Sequence, residues 1–265
     1  MIIAAYSGTG KSTFAARFEN AVDLVSMPWD QILPPQRSED GESEKGWANV
    51  LADPLYPENY IINILRAERE YDYVLIPTDM AVVRRLREEY GRKVILCYPA
   101  DGRKEEYRNR FIARGYSKLV LELFIGGWDT VLRPVREYED AVHIVMEAGE
   151  YLTDLKERLD RELLRDETKP VPEETIADIE RALDGRRRDF ALIINSRFWY
   201  RISDILDPDE RVFLAEISRM TRGSVSIVPL SYADKLLSPD DVITDDKARA
   251  LEYVEKLLGE APRPG

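Results

Sequence analysis

Cysteine and histidine are nearly absent from this chain of 265 residues. The single cysteine, Cys97, excludes a disulfide within the chain and is typical of a reducing compartment. With only His143 beside it, the chain also lacks the ligands of a structural zinc site. No apolar run reaches the length of a membrane span, and no basic segment precedes the first apolar stretch as it does in a secretory signal. We therefore expect a cytoplasmic protein with no membrane partner.

Acidic residues outnumber basic ones. The chain has 38 Lys and Arg residues against 50 Asp and Glu residues, which gives a net charge of −12. Because nucleic-acid backbones attract basic surfaces, this charge argues against a general affinity for nucleic acid but does not exclude a local basic cleft. The content of 44% apolar and 33% charged residues is that of a folded globular protein with room for one large domain or two small ones.

Apolar runs alternate with helical patterns through residue 165, which predicts an α/β fold. The predicted strands are 1–6, 22–27, 73–78, 94–99 and 141–146. The predicted helices are about 11–20, 58–70, 80–90, 104–126, 128–138 and 149–164. Because the strands are apolar throughout and alternate with helices, we expect a mostly parallel sheet with helices on both faces.

A change in composition at residues 166–173, which include two prolines, predicts a linker between domains. Residues 1–165 would form the first domain, and residues 174–265 a small C-terminal subdomain, α/β or mainly helical, whose role the sequence does not assign. A continuation of the first sheet is the alternative for this region. Its predicted helices are 173–184, 209–221 and 239–259, and its predicted strands are 190–195 and 224–229. Residues 28–57, rich in Pro, Gly, Ser and Glu, are predicted to form a loop or lid near the site.

The N-terminal segment carries the most informative pattern, an apolar strand followed by a small-residue loop and a helix start. Residues 5–12, AYSGTGKS, match G-x-x-x-x-G-K-[ST] except that Ala5 replaces the first glycine. Backbone N–H groups in such a loop point at an anion, and glycines allow phosphates to approach closely. The pattern is that of the phosphate-binding loop, or P-loop, of proteins that bind nucleoside triphosphates. The alternative is a glycine-rich turn with an ordinary surface lysine.

The P-loop pattern assigns an expected role to each of its residues. Lys11 would place a positive charge on the β- and γ-phosphates as a catalytic residue, and Ser12 would ligate Mg²⁺ through its hydroxyl. Thr13 would lie near the α-phosphate. We expect ATP and Mg²⁺ as cofactors. The residues predicted to bind the nucleotide are Ser7, Gly8, Thr9, Gly10, Lys11, Ser12 and Thr13, together with Arg103.

Longer segments resemble a group of phage and bacterial P-loop proteins similar to nucleoside and nucleoside-monophosphate kinases. The segments are AYSGTGKSTFA (5–15), PLYPENYIINIL (54–65), YDYVLIPTD (71–79), LCYPADGRKEEYRNRFIARG (96–115) and LFIGGWD (123–129). The resemblance runs to about residue 160 and says nothing about residues 166–265. It implies a three-layer P-loop NTPase fold and a Mg–ATP-dependent phosphotransferase whose partner is a small acceptor, a nucleoside or a nucleoside monophosphate.

A basic segment, residues 103–115, extends this prediction. Arg103, Arg110 and Arg114 share one face of the predicted helix, and Lys104 and Arg108 lie on an adjacent stripe. In nucleotide kinases a lid with such arginines closes over the phosphates. By that resemblance, the three arginines are candidates for contacts with the γ-phosphate and the acceptor phosphate, with Arg110 and Arg114 in catalytic roles. The alternative is a solvated helix with ion pairs such as that of residues 106 and 110.

Two aspartates follow predicted strands. Asp79 would lie at the carboxyl end of its strand near Mg²⁺, which resembles a loose Walker B position, and would be a metal ligand and catalytic residue. Asp30 would accept the hydroxyl proton of the acceptor or hold Mg²⁺ through water. For both residues the alternative is to cap the N-terminus of the following helix.

The prediction from sequence is thus a phosphotransferase, with alternatives left open. A kinase acting on polynucleotide ends is one, although the acidity of the chain counts against it. A non-catalytic ATP-binding regulatory or interaction module is another, because there is no unambiguous pair of Walker B aspartates. A stand-alone ATPase is the third. The acceptor, the base preference and the oligomeric state, a homodimer included, are not determined by the sequence.

Overall fold

The computed structural model describes residues 1–32, 51–116, 118–238 and 240–260. The chain divides into two compact units, the first formed by Met1–Ser26 and Tyr60–Ala177 and the second by Met27–Asn59 and Asp178–Gly265. The boundary near residue 177 is close to the predicted linker, whereas Met27–Asn59 group with the C-terminal residues. Most of the predicted loop or lid at 28–57 lies outside the described residues.

The helices and strands follow in chain order. The strands are β1 (Ile2–Ala5), β2 (Ala21–Asp23), β3 (Gln31–Ile32), β4 (Leu51–Ala52), β5 (Tyr73–Ile76), β6 (Val94–Pro99), β7 (Val142–Met146), β8 (Phe190–Asn195), β9 (Phe198–Arg201), β10 (Ser226–Pro229) and β11 (Val242–Thr244). The helices are α1 (Lys11–Arg17), α2 (Met27–Asp30), α3 (Glu58–Glu70), α4 (Met80–Glu88), α5 (Lys104–Ala113), α6 (Lys118–Leu121), α7 (Trp128–Arg136), α8 (Lys156–Leu164), α9 (Glu173–Gly185), α10 (Pro208–Met220), α11 (Leu230–Leu236) and α12 (Lys247–Glu260). A π-helical turn covers Glu122–Gly126, and a 3₁₀ turn covers Leu152–Leu155.

The first unit contains a five-stranded parallel sheet in the order β2-β5-β1-β6-β7. Phe14 of α1 and Leu159 of α8 belong to a core cluster with Ile3 of β1, so these helices cover one face. Ile2 and Val74, which point to the opposite face, are equally buried. Burial on both faces explains why these strands are apolar at nearly every position. The predicted α/β fold with a parallel sheet is confirmed.

Two predicted helices of the first unit are more irregular than expected. The predicted helix 104–126 consists of α5, α6 and the π-helical turn, and α5 is followed by Gly115 with a φ of +72°. That left-handed conformation ends a helix and suits glycine. The predicted helix 149–164 begins later, with the 3₁₀ turn at Leu152.

The second unit has its own four-stranded sheet, in the order β10-β8-β9-β11. Strand β8 is antiparallel to both β10 and β9, and β11 is parallel to β9. The prediction of one helix over 239–259 is wrong, because β11 occupies Val242–Thr244 and α12 begins at Lys247. Strand β9 and helix α11 were not predicted. The C-terminal strands therefore form a separate α/β unit and do not extend the first sheet.

Within the second unit, an ion pair with a buried carboxylate joins the segment before α3 to helix α10. The carboxylate of Asp53, itself buried, accepts a hydrogen bond from Arg211 of α10 at 2.8 Å. The same guanidinium donates to the carbonyl oxygen of Gln31 at 3.3 Å. No helix within the described residues combines the length and the apolar character that crossing a membrane requires.

Candidate phosphate-binding site

The candidate site begins where β1 ends. Residues Tyr6–Gly10, called the glycine loop below, connect β1 to α1. Strand β1 lies between β5 and β6, and the chain turns first to one side of β1 and later to the other. Ligands of open parallel sheets bind beyond the carboxyl ends of the strands at such a switch point. The glycine loop therefore occupies the position in this sheet that favours a binding site.

Both glycines of the loop adopt left-handed backbone conformations. Gly8 has a φ of +83° and Gly10 a φ of +94°, values that a residue with a Cβ adopts only with strain. A Cβ at Gly8 would lie 2.7 Å from a ring carbon of Phe111, and one at Gly10 would lie 3.2 Å from the ring of Tyr151. Both positions therefore require glycine for two reasons, the left-handed backbone conformation and the short distance to an aromatic ring.

Thr9 holds the loop to its surroundings. Its hydroxyl donates to the carbonyl oxygen of Tyr6 at 2.7 Å, and its own carbonyl accepts from the amide of Leu152 at 3.0 Å. By contrast, the amides of Gly8, Gly10, Lys11 and Ser12 donate to no acceptor in the described part of the chain. Such a group of unsatisfied N–H groups in a left-handed loop is a concave donor set suited to an anion.

Lys11 is folded against the loop. Its ammonium donates to the carbonyl oxygens of Ala5 at 2.8 Å and Tyr6 at 3.4 Å. Burial lowers the pKa of Lys11 from 10.5 to about 8, with Asp23 acting to raise it and Arg114 to lower it. Because neutral carbonyl groups hold this partly buried charge, an anionic ligand would stabilise it.

Ser12 contacts a carboxylate that sequence reasoning missed. Its hydroxyl donates to Oδ2 of Asp23, at the end of β2, at 2.7 Å. The other oxygen of Asp23, Oδ1, is buried and has no hydrogen-bond partner in the part of the chain that is described. An acidic residue inside the apolar run 22–27 was the available signal.

The two aspartates named from the sequence have different surroundings. Oδ1 of Asp79 accepts from the amides of Ala81 at 2.8 Å and Val82 at 3.4 Å, so Asp79 caps α4 as its alternative reading stated. Asp30 ends α2 in the second unit, and its backbone carbonyl accepts from the amide of Asp53 at 3.0 Å. The partner of the Ser12 hydroxyl is Asp23 and not Asp79.

Arg110 contacts the glycine loop directly. Its guanidinium, 8% exposed, donates to the carbonyl oxygen of Gly8 at 3.2 Å and to that of Glu150 at 2.9 Å. It also forms an ion pair with Glu106 at 2.5 Å and lies 3.9 Å from the ring centroid of Tyr151. The ion pair of the alternative reading is thus observed, although the guanidinium is buried rather than solvated. A contact between Arg110 and a phosphate stays a prediction.

The other two predicted arginines, Arg103 and Arg114, make weaker contacts than Arg110. Arg103 forms long ion pairs with Glu106 at 3.8 Å and Glu147 at 3.9 Å. Arg114 is exposed at the C-terminal end of α5, and no carboxylate lies within ion-pair distance of it among the described residues. Its charge nevertheless lowers the pKa of Lys11, so it acts on the loop through space.

The remaining loop residues complete the predicted set. Ser7 is partly buried, whereas Ser12 and Thr13 are exposed on the first turn of α1. No group of three or more His, Cys, Asp or Glu side chains suited to a metal ion occurs within the described ranges. A cation at this loop would therefore need ligand oxygens from a bound phosphate or from water in addition to those of Ser12 and Asp23.

Comparison with models of known protein families finds no match, and comparison with curated proteins finds no similar sequence. The resemblance to nucleoside kinases stays a prediction from the sequence segments named above. What the site can do must therefore be inferred from the glycine loop and its neighbours.

Proposed function

We propose that the first unit binds the triphosphate of ATP at residues 7–13 and transfers the γ-phosphoryl group to a small acceptor, a nucleoside or a nucleoside monophosphate. The observation that carries the proposal is the donor set of the glycine loop. The amides of Gly8, Gly10, Lys11 and Ser12, which find no acceptor among the described residues, adjoin an ammonium held by neutral carbonyl groups. A polyphosphate would satisfy these amides and neutralise this charge together.

Positive charge around the loop supports transfer as well as binding. Phosphoryl transfer depends on positioning and on the stabilisation of charge that spreads over the transferred group. Lys11 supplies one cation and Arg110 another, since its guanidinium contacts the carbonyl oxygen of Gly8. Arg114 is exposed and unpaired within the described ranges, so its side chain is available to a bound phosphate. Arg103 would add a further contact after exchanging its long ion pairs.

The residues at the loop also fit Mg²⁺. Ser12 and Asp23 offer a hydroxyl and a carboxylate whose oxygens lie 2.7 Å apart, and Mg²⁺ prefers such hard oxygen ligands. The buried Oδ1 of Asp23 has no partner within the described residues, which a cation or its bound water would provide. When bound, Mg²⁺ neutralises charge on phosphate oxygens. Asp79, three residues beyond β5, remains a proposed further ligand through its carboxylate.

A phosphoryl-transfer screen tests the proposal. The full chain and its Lys11→Ala variant are incubated with Mg–ATP and a pool of nucleosides, nucleoside monophosphates and short oligonucleotides, and products are identified by mass. Lys235→Ala, an exposed lysine on α11 of the second unit, is the matched control. We expect a phosphorylated nucleoside or nucleotide with the parent and with Lys235→Ala, and none with Lys11→Ala.

The other outcomes assign the alternatives. Phosphorylation of oligonucleotides alone would identify a polynucleotide-end kinase. ATP binding without any product would favour the regulatory module, and release of phosphate without an acceptor would favour an ATPase. Equal product from the parent and Lys11→Ala would refute the proposal. The single cysteine favours a cytoplasmic location for this activity.

A further inference from the structure

A cavity of about 290 Å³ lies in the first unit on a different stripe of α5 from Arg110. Lys104 and Arg108 of α5, Lys118 of α6 and residues of the π-helical turn line it. Lys104 and Arg108 form the adjacent stripe, which the candidate site at the glycine loop leaves unused. A volume of ~300 Å³ is at the lower end of the range for sites that bind small molecules.

The charges in the cavity are unbalanced. Lys104 and Lys118 have no carboxylate within ion-pair distance in the part of the chain that the structure describes, and Arg108 pairs with Glu105 at 3.1 Å. Glu122 is the acidic residue that lines the cavity beside the three cations. Like charges that line one concave surface raise its positive potential, and an anion lowers that energy.

Two apolar side chains also line the cavity. They are Ile125, which is 1% exposed, and the partly buried Leu121. A few charged groups beside apolar side chains form a site for an organic anion, which presents a charged end and a less polar body. Lysine and arginine bind phosphoryl groups through charge-assisted hydrogen bonds.

Two of the elements that line the cavity contact the glycine loop. From α5, Phe111 packs so closely on Gly8 that an added Cβ would lie 2.7 Å from its ring. From the π-helical turn, the carbonyl oxygen of Phe124 accepts a hydrogen bond from the hydroxyl of Tyr6 at 2.8 Å. π-Helical turns occur frequently at functional sites. A ligand in the cavity would hold together two elements that each contact the loop.

We propose that this cavity is a second anion-binding site, which takes a small phosphorylated organic molecule on Lys104, Arg108 and Lys118. It is separate from the glycine loop, and its occupancy does not require the activity proposed above. A sugar phosphate and a nucleoside monophosphate share the chemistry that the cavity recognises. They differ in whether a base lies on Leu121 and Ile125.

Calorimetric titration tests the site in the full-length Lys11→Ala variant, which lacks the ammonium of the loop, and the cavity substitutions made in this background isolate the contribution of the cavity. The probes are inorganic phosphate, ribose 5-phosphate and AMP. In this background Lys104→Gln and Lys118→Gln should each weaken binding of the organic phosphates about tenfold, since each removes one charge-assisted contact. Tighter binding of AMP than of ribose 5-phosphate would place a base against Leu121 and Ile125, and equal binding would identify a sugar-phosphate site.

A substitution that is expected to strengthen binding distinguishes a local effect on the cavity from a general loss of structure. Glu122→Gln removes the carboxylate from the cavity and should tighten binding, which damage to the fold would not do. Lys235→Gln, far along the chain in α11, removes the same charge as the lysine variants and should leave binding unchanged. The proposal fails if none of the three probes binds saturably to Lys11→Ala, or if the cavity variants all bind as the parent does.

Discussion

The guanidinium of Arg110 donates a hydrogen bond to the carbonyl oxygen of Gly8, 102 residues away in the sequence. Because Arg110 also pairs with Glu106 on its own helix, α5 is fastened to the glycine loop through a charged and well-buried side chain. The conformation of the loop therefore depends on contacts with α5 as well as on its own glycines. Gly8 combines a left-handed backbone conformation with a close contact to α5.

Gly8→Ala should destabilise the first unit. The new Cβ would meet the ring of Phe111 at 2.7 Å, and the φ of +83° disfavours alanine. We expect a loss of about 3 kcal/mol, the sum of left-handed strain and overpacking. Gly102→Ala is the matched control, because Gly102 has a φ of +79° and no atom within 4 Å of an added Cβ. Urea unfolding measures both variants, and equal losses would contradict the close contact with Phe111.

Lys11 should make the unfolding free energy depend on pH above neutrality. Burial lowers its pKa to about 8 in the folded chain, from 10.5. Between these two values the unfolded chain holds a proton that the folded chain has released, so stability rises with pH in this window. Relative to Lys11→Met, the parent should gain about 1.4 kcal/mol per pH unit there. Urea unfolding of both proteins at several pH values in this window measures the gain. If the unfolding free energies of the two proteins changed equally with pH, the result would argue against a buried ammonium.

Asp23→Asn should weaken the effect of Mg²⁺ on triphosphate binding. The variant keeps an oxygen that accepts from Ser12 but loses the charge that a cation needs. We expect the ratio of the ATP dissociation constants without and with Mg²⁺ to fall about tenfold. Asp72→Asn is the control, because Asp72 is an exposed carboxylate that accepts from Asn20 at 2.7 Å. Titration of ATP with and without Mg²⁺ decides the matter, and an unchanged Mg²⁺ effect in Asp23→Asn would remove Asp23 from the site.

Asp79 can be tested for capping and for metal binding separately. Asp79→Ala removes the acceptor of the Ala81 and Val82 amides and should cost about 1 kcal/mol of stability. Asp79→Ser retains an acceptor and should cost about 0.5 kcal/mol or less. If Asp79 also ligates Mg²⁺, phosphoryl transfer should fall equally in both variants. Unfolding curves and transfer rates are measured on the same preparations, and an Ala variant as stable as the parent would contradict the cap.

Glu210 should be the most sensitive charged position of the second unit. Its buried carboxylate accepts from Tyr200 at 2.8 Å and from Lys247 at 2.7 Å. Glu210→Ala removes the acceptor of the buried Tyr200 hydroxyl and should cost about 1–3 kcal/mol, whereas water can hydrate the ammonium of Lys247, whose side chain is 40% exposed. Glu216→Ala, on the same helix but exposed, should cost about 0.5 kcal/mol or less. Thermal unfolding compares the two, and a mild effect of Glu210→Ala would show that the cluster is dispensable.

The parallel sheet and the glycine loop were predictable because their signals are local. An apolar run that is buried on both faces reads as a strand from its own residues, as β1, β5 and β6 do. Left-handed turns leave glycines in the sequence, so Gly8 and Gly10 marked the loop. The pair of Arg110 with Glu106 was also predictable, because residues four apart lie on one helix face.

Other features depended on pairing between distant segments. The short run Val242–Thr244 becomes β11 because it pairs with β9, and no periodicity within 239–259 reveals such a partner. Asp23 accepts a hydrogen bond from Ser12 because β2 pairs with β5, which places the carboxyl end of β2 near α1. Such contacts are set by strand order, which a sequence pattern does not contain.

By itself the sequence determined the class of fold, the backbone conformation of the glycine loop and the charge available around it, since these follow from residue type and short-range spacing. The tertiary structure alone decided which charges meet. It placed Arg110 against Gly8 and Asp23 against Ser12, and it gathered Lys104 and Lys118 around one cavity. The physical reason is that a hydrogen bond or an ion pair acts over a few ångströms, and only the folded chain brings residues so far apart in sequence within that distance.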